Sequence, residues 1–443
     1  MYDVGVVKYK KPLESLQKAI ELAGGFGKIG ADTKIILKPN LVVWHEGVNF
    51  PKYAVLTTSR MIEDTIKLLI DCGAKDISIV EGSIDLGKKT KDSIIAFAAK
   101  GLGYDILKKR YGIKVIDALQ GSFQKVKIDE VKLSVSTDIM EADCVINMPV
   151  LKTHSQAMVS LGIKNLKGVI NIASRKICHN KDQNINLNYH LTKLMKMIPI
   201  SFSIIDGIYT NDRGPSYNGR ARRSNIIIAS KDMLAGDLVG ATVLGIDPAT
   251  IPYLNDAATQ NNRPVDLSDI TVKGDVDIKN ELKPHIWEYE QEDGADMPDW
   301  MIRSGIKGIS MPKQDLTICT YCAFLFNKLV MGLLMAKNKK QGYDDIEILD
   351  GKIQKPTAGH KHTILFGQCQ VKLNKDNPLI NHCVKVPGCP ANEEDLYKAF
   401  AEVGIELPDD FSEWVEKSPE LVHGQKYKNK PEFDPSFYTI NQH

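Results

Sequence analysis

The chain lacks the signatures of several large classes. The most apolar stretch of its last third, Cys322 to Ala336, is broken by Asn327 and Lys328. It falls short of the ~20 residues that a spanning helix needs, so a core helix and no membrane span are expected. Met1 to Pro12 carries charges and no apolar h-region, so no export signal is expected and a cytoplasmic location follows. Charge of one sign is not in excess: 57 Lys and Arg face 55 Asp and Glu, a net charge of +2. That balance gives no bulk attraction to nucleic acid or to a membrane surface. No GxxxxGK[ST] is present, and Gly82 and Gly87 do not make a GxGxxG, so a phosphate-cradling nucleotide loop is not expected. Internal repeats and low-complexity runs are absent.

What is present is the mix of a globular protein: 443 residues, 43% hydrophobic and 25% charged, which excludes a wholly disordered chain. The length suggests about two or three domains. Apolar runs at 4–9, 33–38, 76–81, 115–116 and 142–147 read as strands, and helical stripes at 13–23, 58–71 and 92–99 separate them. Such alternation argues for an α/β fold with a mostly parallel sheet flanked by helices. Strand character at 203–206 and 225–229 and helices near 233–244 and 251–258 extend this domain to about residue 275. A polar connecting segment, 276–312, then leads to a small cysteine-rich C-terminal module, 313–407, and an irregular strap, 408–443.

The eight cysteines are unevenly placed. Cys72, Cys144 and Cys178 are scattered and read as small buried hydrophobes. Cys319, Cys322, Cys369, Cys383 and Cys389 crowd the last third, which in a chain without an export signal points to a metal or redox centre. Cys319-Thr-Tyr-Cys322 can grip one metal or two corners of a cube. Phe366-Gly-Gln-Cys369 follows a short apolar strand, and Val386-Pro-Gly-Cys-Pro390 has the glycine and proline common around iron–sulfur ligands. Cys319, Cys322, Cys369 and Cys389 are therefore the candidate ligands of a [4Fe–4S] cluster, and Cys383 is the spare. Zinc would accept four thiolates too, although zinc ribbons usually pair two CxxC knuckles and only one is present. A thioredoxin-like CxxC is a third reading, weakened by the thin strand Thr317-Ile318 before it.

Five further motifs arrive in order: Leu37-Lys-Pro-Asn-Leu41, Gly73-Ala-Lys-Asp-Ile-Ser-Ile-Val-Glu-Gly-Ser83, Asn147-Met-Pro-Val-Leu-Lys-Thr-His154, Gly162-Ile-Lys-Asn-Leu-Lys-Gly168, and Ile205-Asp-Gly207 with Gly214-Pro215. Together they resemble the DUF362 family over roughly residues 30 to 260. The resemblance implies an α/β fold and an association with iron–sulfur modules, and no established reaction. Many relatives carry a bacterial-ferredoxin cysteine run, which this chain lacks. The late cysteine layout also resembles ligand patterns of hydrogenase small subunits. The family bears a distant likeness to lactate racemase-type proteins.

Parallel sheets bind ligands at the carboxyl ends of their strands. Lys38 and Asn40, Glu81 and Ser83, Lys152 with His154, and Asp206 all stand at expected strand ends, and Lys164, Asn165 and Lys167 should join them. Several cations, one histidine and two carboxylates would suit a small anionic substrate or cofactor. Lys152, His154 and Lys164 are the candidates for catalysis, and Lys38, Asn40, Glu81, Ser83, Asn165, Lys167 and Asp206 for binding. Each has a bland counterpart: Asn40 can cap a turn, Asp206-Gly207 is an ordinary turn pair, and a single histidine is more often structural. His360 and His362 share a strand face at period two, which is more often solvated than metal-binding.

The leading expectation is an iron–sulfur redox protein, an oxidoreductase suited to an anaerobic host, with a redox partner protein; a homodimer is compatible with the chain. Two other readings stand beside it. One is a non-redox enzyme doing acid–base or racemase-like chemistry on a carboxylate, with a structural metal. The other is a non-catalytic electron carrier or assembly factor.

Overall fold

The computed structural model describes residues 1–441 apart from 42, 45, 46, 83, 85–92 and 293. The chain divides into two compact units: Met1–Arg175 with Asn188–Glu288 and Pro419–His443, and Lys176–Leu187 with Tyr289–Ser418. Among the described residues no helix is long and apolar enough to cross a membrane.

The described strands of the first unit are β1 (Tyr2–Lys8), β2 (Lys34–Pro39), β3 (Asp76–Glu81), β4 (Lys114–Asp117), β5 (Phe123–Ile128), β6 (Val131–Ser136), β7 (Cys144–Met148), β8 (Val150–His154), β9 (Met158–Val159), β10 (Phe202–Asp212), β11 (Arg220–Ser230) and β12 (Ile270–Gly274). The main sheet runs β12-β1-β11-β10-β7-β2-β3-β4, with β8 and β9 branching from β10, while β5 and β6 form a separate hairpin. The pairs β4–β3, β3–β2, β2–β7 and β7–β10 are parallel. Central strands such as Ile35-Ile-Leu37 are apolar without alternation because both sheet faces are covered. The expected α/β architecture is present, with antiparallel junctions at β10–β11 and β1–β11. A short turn joins β10 to β11, and such a connection can only make an antiparallel pair, whereas parallel neighbours need a crossover.

The strand order explains where a site can form. From β2 the chain moves outward to β3 and β4, then returns to place β7 on the other side of β2. The connections after β2 and β7 therefore leave in opposite directions. The carboxyl ends of β2 and β7 are a topological switch point, where α/β sheets open a crevice.

The second unit carries its own sheet, β13 (Ile309–Ser310), β14 (Ile346–Leu349), β15 (His362–Phe366) and β16 (Cys383–Val386), in that order and parallel throughout. Its core packs Phe326, Leu329 and Leu333 of the helix Thr320–Met335 with Ile348, Ile364, Phe366 and Val386 of the strands and Phe400. The apolar stretch Cys322 to Ala336 is thus a core helix. The last third is an α/β unit with its own sheet where a small cysteine-rich module was expected.

In the first unit the helix Glu14–Leu22 lies so close on β1 that a Cβ on Gly5 would stand 2.2 Å from the Ala19 carbonyl oxygen and 3.1 Å from Leu22 Cβ. Gly5→Ala should lower stability by about 1–3 kcal/mol through overpacking. Urea denaturation reads this, and an unchanged midpoint would show that the helix does not seat there.

Candidate functional site

At the switch point the register sets Lys38 directly beside Asn147. Lys38 is almost wholly buried, and its ammonium must find acceptors there. Lys38 Nζ donates to Glu81 Oε2 at 2.8 Å, to Asn165 Oδ1 at 2.9 Å and to the Pro39 carbonyl at 3.0 Å. Glu81 also accepts from the backbone N–H groups of Leu41 and Gly82. Asn165, at the end of the short helix Gly162–Asn165, is the hub: its Oδ1 also accepts from Asn40 Nδ2 at 2.8 Å, and its Nδ2 donates to Asn147 Oδ1 at 2.8 Å. Burial pulls the Lys38 pKa down, against the pull of Glu81.

Lys152, on β8, reaches the same network from the other side. It is 0% exposed, and its Nζ donates to Asn40 Oδ1 at 3.0 Å and to the Val55 carbonyl at 2.6 Å. Burial lowers its pKa to about 7; Glu81 opposes the shift and Lys38 adds to it. A neutral amine has two N–H donors and one lone pair. Two acceptors satisfy those donors and leave the lone pair uncommitted, the state a general base or a nucleophile needs.

Asp206, on β10, is buried and joins this end of the sheet to the helix Ser59–Asp71. Its Oδ2 accepts from the Thr58 N–H and hydroxyl, both at 2.8 Å, and Thr58 Oγ1 also caps that helix. Burial raises the Asp206 pKa despite these donors. His154 ends β8, nearly buried; its Nδ1 accepts from the Gln156 N–H at 3.1 Å, which leaves the proton of a neutral ring on Nε2. Lys164 is half-buried in the turn before Asn165, and Lys167 is buried just after it. Ser83 lies outside the described residues.

Lys38, Asn40, Glu81, Lys152 and Asn165 are thus one continuous buried network. Thr58, Asn147 and Asp237 also belong at this end and were not singled out from sequence. Asp237 had a readable signal, a lone acid inside the apolar helix Met233–Val243. Its two oxygens accept from the Gly162 and Ile163 N–H groups at 2.7 and 2.8 Å, fixing the turn that carries Asn165. Burial pushes its pKa up to about 7, against those two donors.

The second unit gathers a different chemistry at the carboxyl end of its own sheet. Phe366 of β15 pairs with Val386 of β16, and each strand continues three residues to a cysteine, Cys369 and Cys389. Gly367 (φ 86°) and Gly388 (φ 107°) turn the chain in the left-handed region that a side chain would strain. A Cβ on Gly367 would lie 3.4 Å from Cys322 Sγ. Cys319 is the N-cap of the helix Thr320–Met335, so the CxxC does open a helix, although residues 317–318 form no strand.

Cys319 and Cys322 act on each other's ionisation. The neighbouring Cys322 side chain, opposed by burial and aided by the Tyr321 and Cys322 N–H groups, holds Cys319 down at about 5; Cys319 and burial push Cys322 up. Cys369 lies within electrostatic reach of Cys389 and Cys319, and Cys322 within reach of Cys369. Cys383 starts β16, and the four-residue strand sets it ~10 Å from the Val386 end. It packs beside Leu349, Leu365 and Val371.

Two cations missed from sequence stand at this centre. Lys176 Nζ is 3.3 Å from Cys389 Sγ, and Lys352 acts electrostatically on Cys319 and Cys369. Nothing in their local sequence separates them from ordinary surface lysines. Among the described residues, no three or more His, Cys, Asp or Glu side chains are already drawn into a metal-holding group. The donor set nevertheless fits a thiolate-bound centre: four thiols from three segments, a helix N-terminus and two lysines offset negative charge. His360 and His362 are engaged elsewhere, with Asp345 and with His382.

Comparison with known proteins agrees with the motif reading of the first unit. Residues 35–242 match DUF362, a domain of unknown function. The match takes in the strand ends of β2, β3, β7 and β10 and the helix that bears Asp237, so the buried network lies within the DUF362 region. A thylakoid-associated protein of Synechocystis sp. is 29% identical over 246 residues, 55% of this chain and 73% of that protein. The lactate racemase apoprotein from Thermoanaerobacterium thermosaccharolyticum aligns with 14% identity over 54% of this chain, at a TM-score of 0.30. The aligned part spans 56% of the racemase, and a likeness this low carries no argument about fold or chemistry.

Two outcomes test the DUF362 network. Glu81→Gln leaves the Lys38 ammonium buried without a counter-charge, and should cost about 3–5 kcal/mol in chemical denaturation. A loss below ~1 kcal/mol would mean that Lys38 is not held as an ion. Lys152 binds fewer protons folded than unfolded between its folded value of about 7 and the ordinary lysine value of 10.5. Its burial therefore costs stability in full below pH 7, and the cost fades as pH rises through that window. Wild-type protein should gain stability relative to Lys152→Met from pH 7 to pH 10. A gap that stays constant with pH would show that Lys152 is not buried as a neutral amine.

Proposed function

We propose that this protein is an iron–sulfur redox protein whose second unit holds a [4Fe–4S] cluster on Cys319, Cys322, Cys369 and Cys389. The observation that carries the reading is that Cys369 and Cys389 each follow adjacent strand ends of a parallel sheet by three residues, with the CxxC close enough for Cys322 Sγ to lie 3.4 Å from a Cβ on Gly367, while Cys383 starts its strand at the other end. When bound, the cluster supplies one-electron transfer. The chain's part is to present the thiolates at the helix N-terminus and to place cations beside them. The DUF362 region supplies the partner site at its switch point, for a small anionic substrate or cofactor, with Lys164, Lys167 and His154 bordering the buried network. A redox partner protein and a cytoplasmic location belong to the same reading. The thylakoid-associated relative makes membrane fractionation the check on location.

A second reading has one observation in its favour. The uncommitted lone pair of Lys152 suits acid–base chemistry on a carboxylate, with the thiols holding a structural zinc.

Protein purified without oxygen should be brown, contain about four irons per chain and bleach with dithionite. Stoichiometric zinc without iron would reject the cluster and favour the second reading. Cys319→Ser, Cys322→Ser, Cys369→Ser and Cys389→Ser should each lose iron or degrade the cluster, while Cys383→Ser should keep it whole. Iron retained in all four of the first variants would remove these thiols as ligands.

A further inference from the structure

We infer that Lys176 and Lys352 are the counter-charges of the cysteine centre and set its reduction potential. The inference rests on the cluster reading and adds to it the residues that tune the cluster.

Four thiolates around an iron–sulfur cube leave the centre net negative in both redox states, by one charge more when reduced. Nearby positive charge therefore favours the reduced form and raises the potential. Both lysines are placed for this by the fold. Lys176 opens the short segment Lys176–Leu187, which belongs to the second unit although the chain on both sides of it belongs to the first. His179 Nδ1 is 2.8 Å from the Leu316 carbonyl oxygen, and Lys352 Nζ donates to the His179 carbonyl. These contacts tie the segment to the chain just before the CxxC.

Lys176 Nζ is then 3.3 Å from Cys389 Sγ and 5.7 Å from the centre of the Tyr321 ring, inside the CxxC itself. Lys352 follows β14 by three residues, as Cys369 follows β15 and Cys389 follows β16. Its backbone N–H donates to Thr317 Oγ1 at 2.7 Å, two residues from Cys319. Three adjacent strand ends thus deliver a cation and two thiols to the same edge of the sheet. Neither lysine has a carboxylate partner within ion-pair distance among the described residues, so their charge is not cancelled locally.

The test is an anaerobic redox titration of the iron-loaded full chain, comparing wild type with Lys176→Met, Lys176→Arg and Lys352→Met. At a fixed poise the reduced-to-oxidised ratio should fall roughly tenfold in Lys176→Met, a ~59 mV lower potential for a one-electron couple. Lys352→Met should move it the same way, and Lys176→Arg should leave it near wild type. Iron lost from Lys176→Met but kept by Lys176→Arg would also support the inference, because charge separates those two variants. Full iron with an unmoved potential in both methionine variants overturns the inference while the cluster stands. Wild-type protein without iron removes the cluster and the role of the lysines together.

Discussion

A lysine ammonium at the end of a central parallel strand cannot leave water without partners, and much of the first unit is arranged around supplying them to Lys38. The register of β2 and β7 sets Asn147 beside Lys38, and Glu81, the last residue of β3, accepts from its ammonium. Asn165 closes the gap between Lys38 and Asn40, and Asp237 pins the turn that carries Asn165. The fit is tight: a Cβ on Gly168 would stand 2.1 Å from Glu81 Oε1 and 2.7 Å from Lys38 Nζ. One buried charge thereby constrains three strands, one turn and the N-terminus of a helix.

The same setting separates two lysines of similar burial. Lys38 has a carboxylate and remains an ion-pair member. Lys152 has neutral acceptors, feels the charge of Lys38 nearby, and tends to the neutral form. Environments that push like groups apart in this way are a common mark of functional sites, although structural networks produce them too. The second unit gathers thiols instead, and of these Cys319 is the one whose surroundings lower its pKa. A helix N-terminus and two lysines stand beside them, an arrangement that favours negative charge there.

Much of the fold was legible because parallel α/β units write themselves locally. Ile35-Ile-Leu37 and Ile77-Ser-Ile-Val80 are buried runs, and the helix after Thr58 begins with a capping hydroxyl where the pattern placed it. Lys38 and Glu81 were readable from the rule that sheets carry their sites at carboxyl ends, whereas Lys152 and Asp206, expected at strand ends, lie inside β8 and β10, which run on past them. The sheet of the second unit was harder to see, because its strands are four residues or fewer apart from β15 and are outweighed by the turns around the cysteines.

The sequence by itself determined the alternation of strands and helices, the motifs of the DUF362 region and the glycine turns before Cys369 and Cys389, since each depends on residues a few positions apart. Tertiary structure decided which partners those residues meet. Strand order and register bring Lys38 to Asn165, 127 residues away, and Lys176 to Cys389, 213 residues away. They also divide Cys383 from Cys389, because a short strand between two nearby positions carries them to opposite ends of a sheet. No local pattern encodes such meetings; they follow from how distant strands stack side by side.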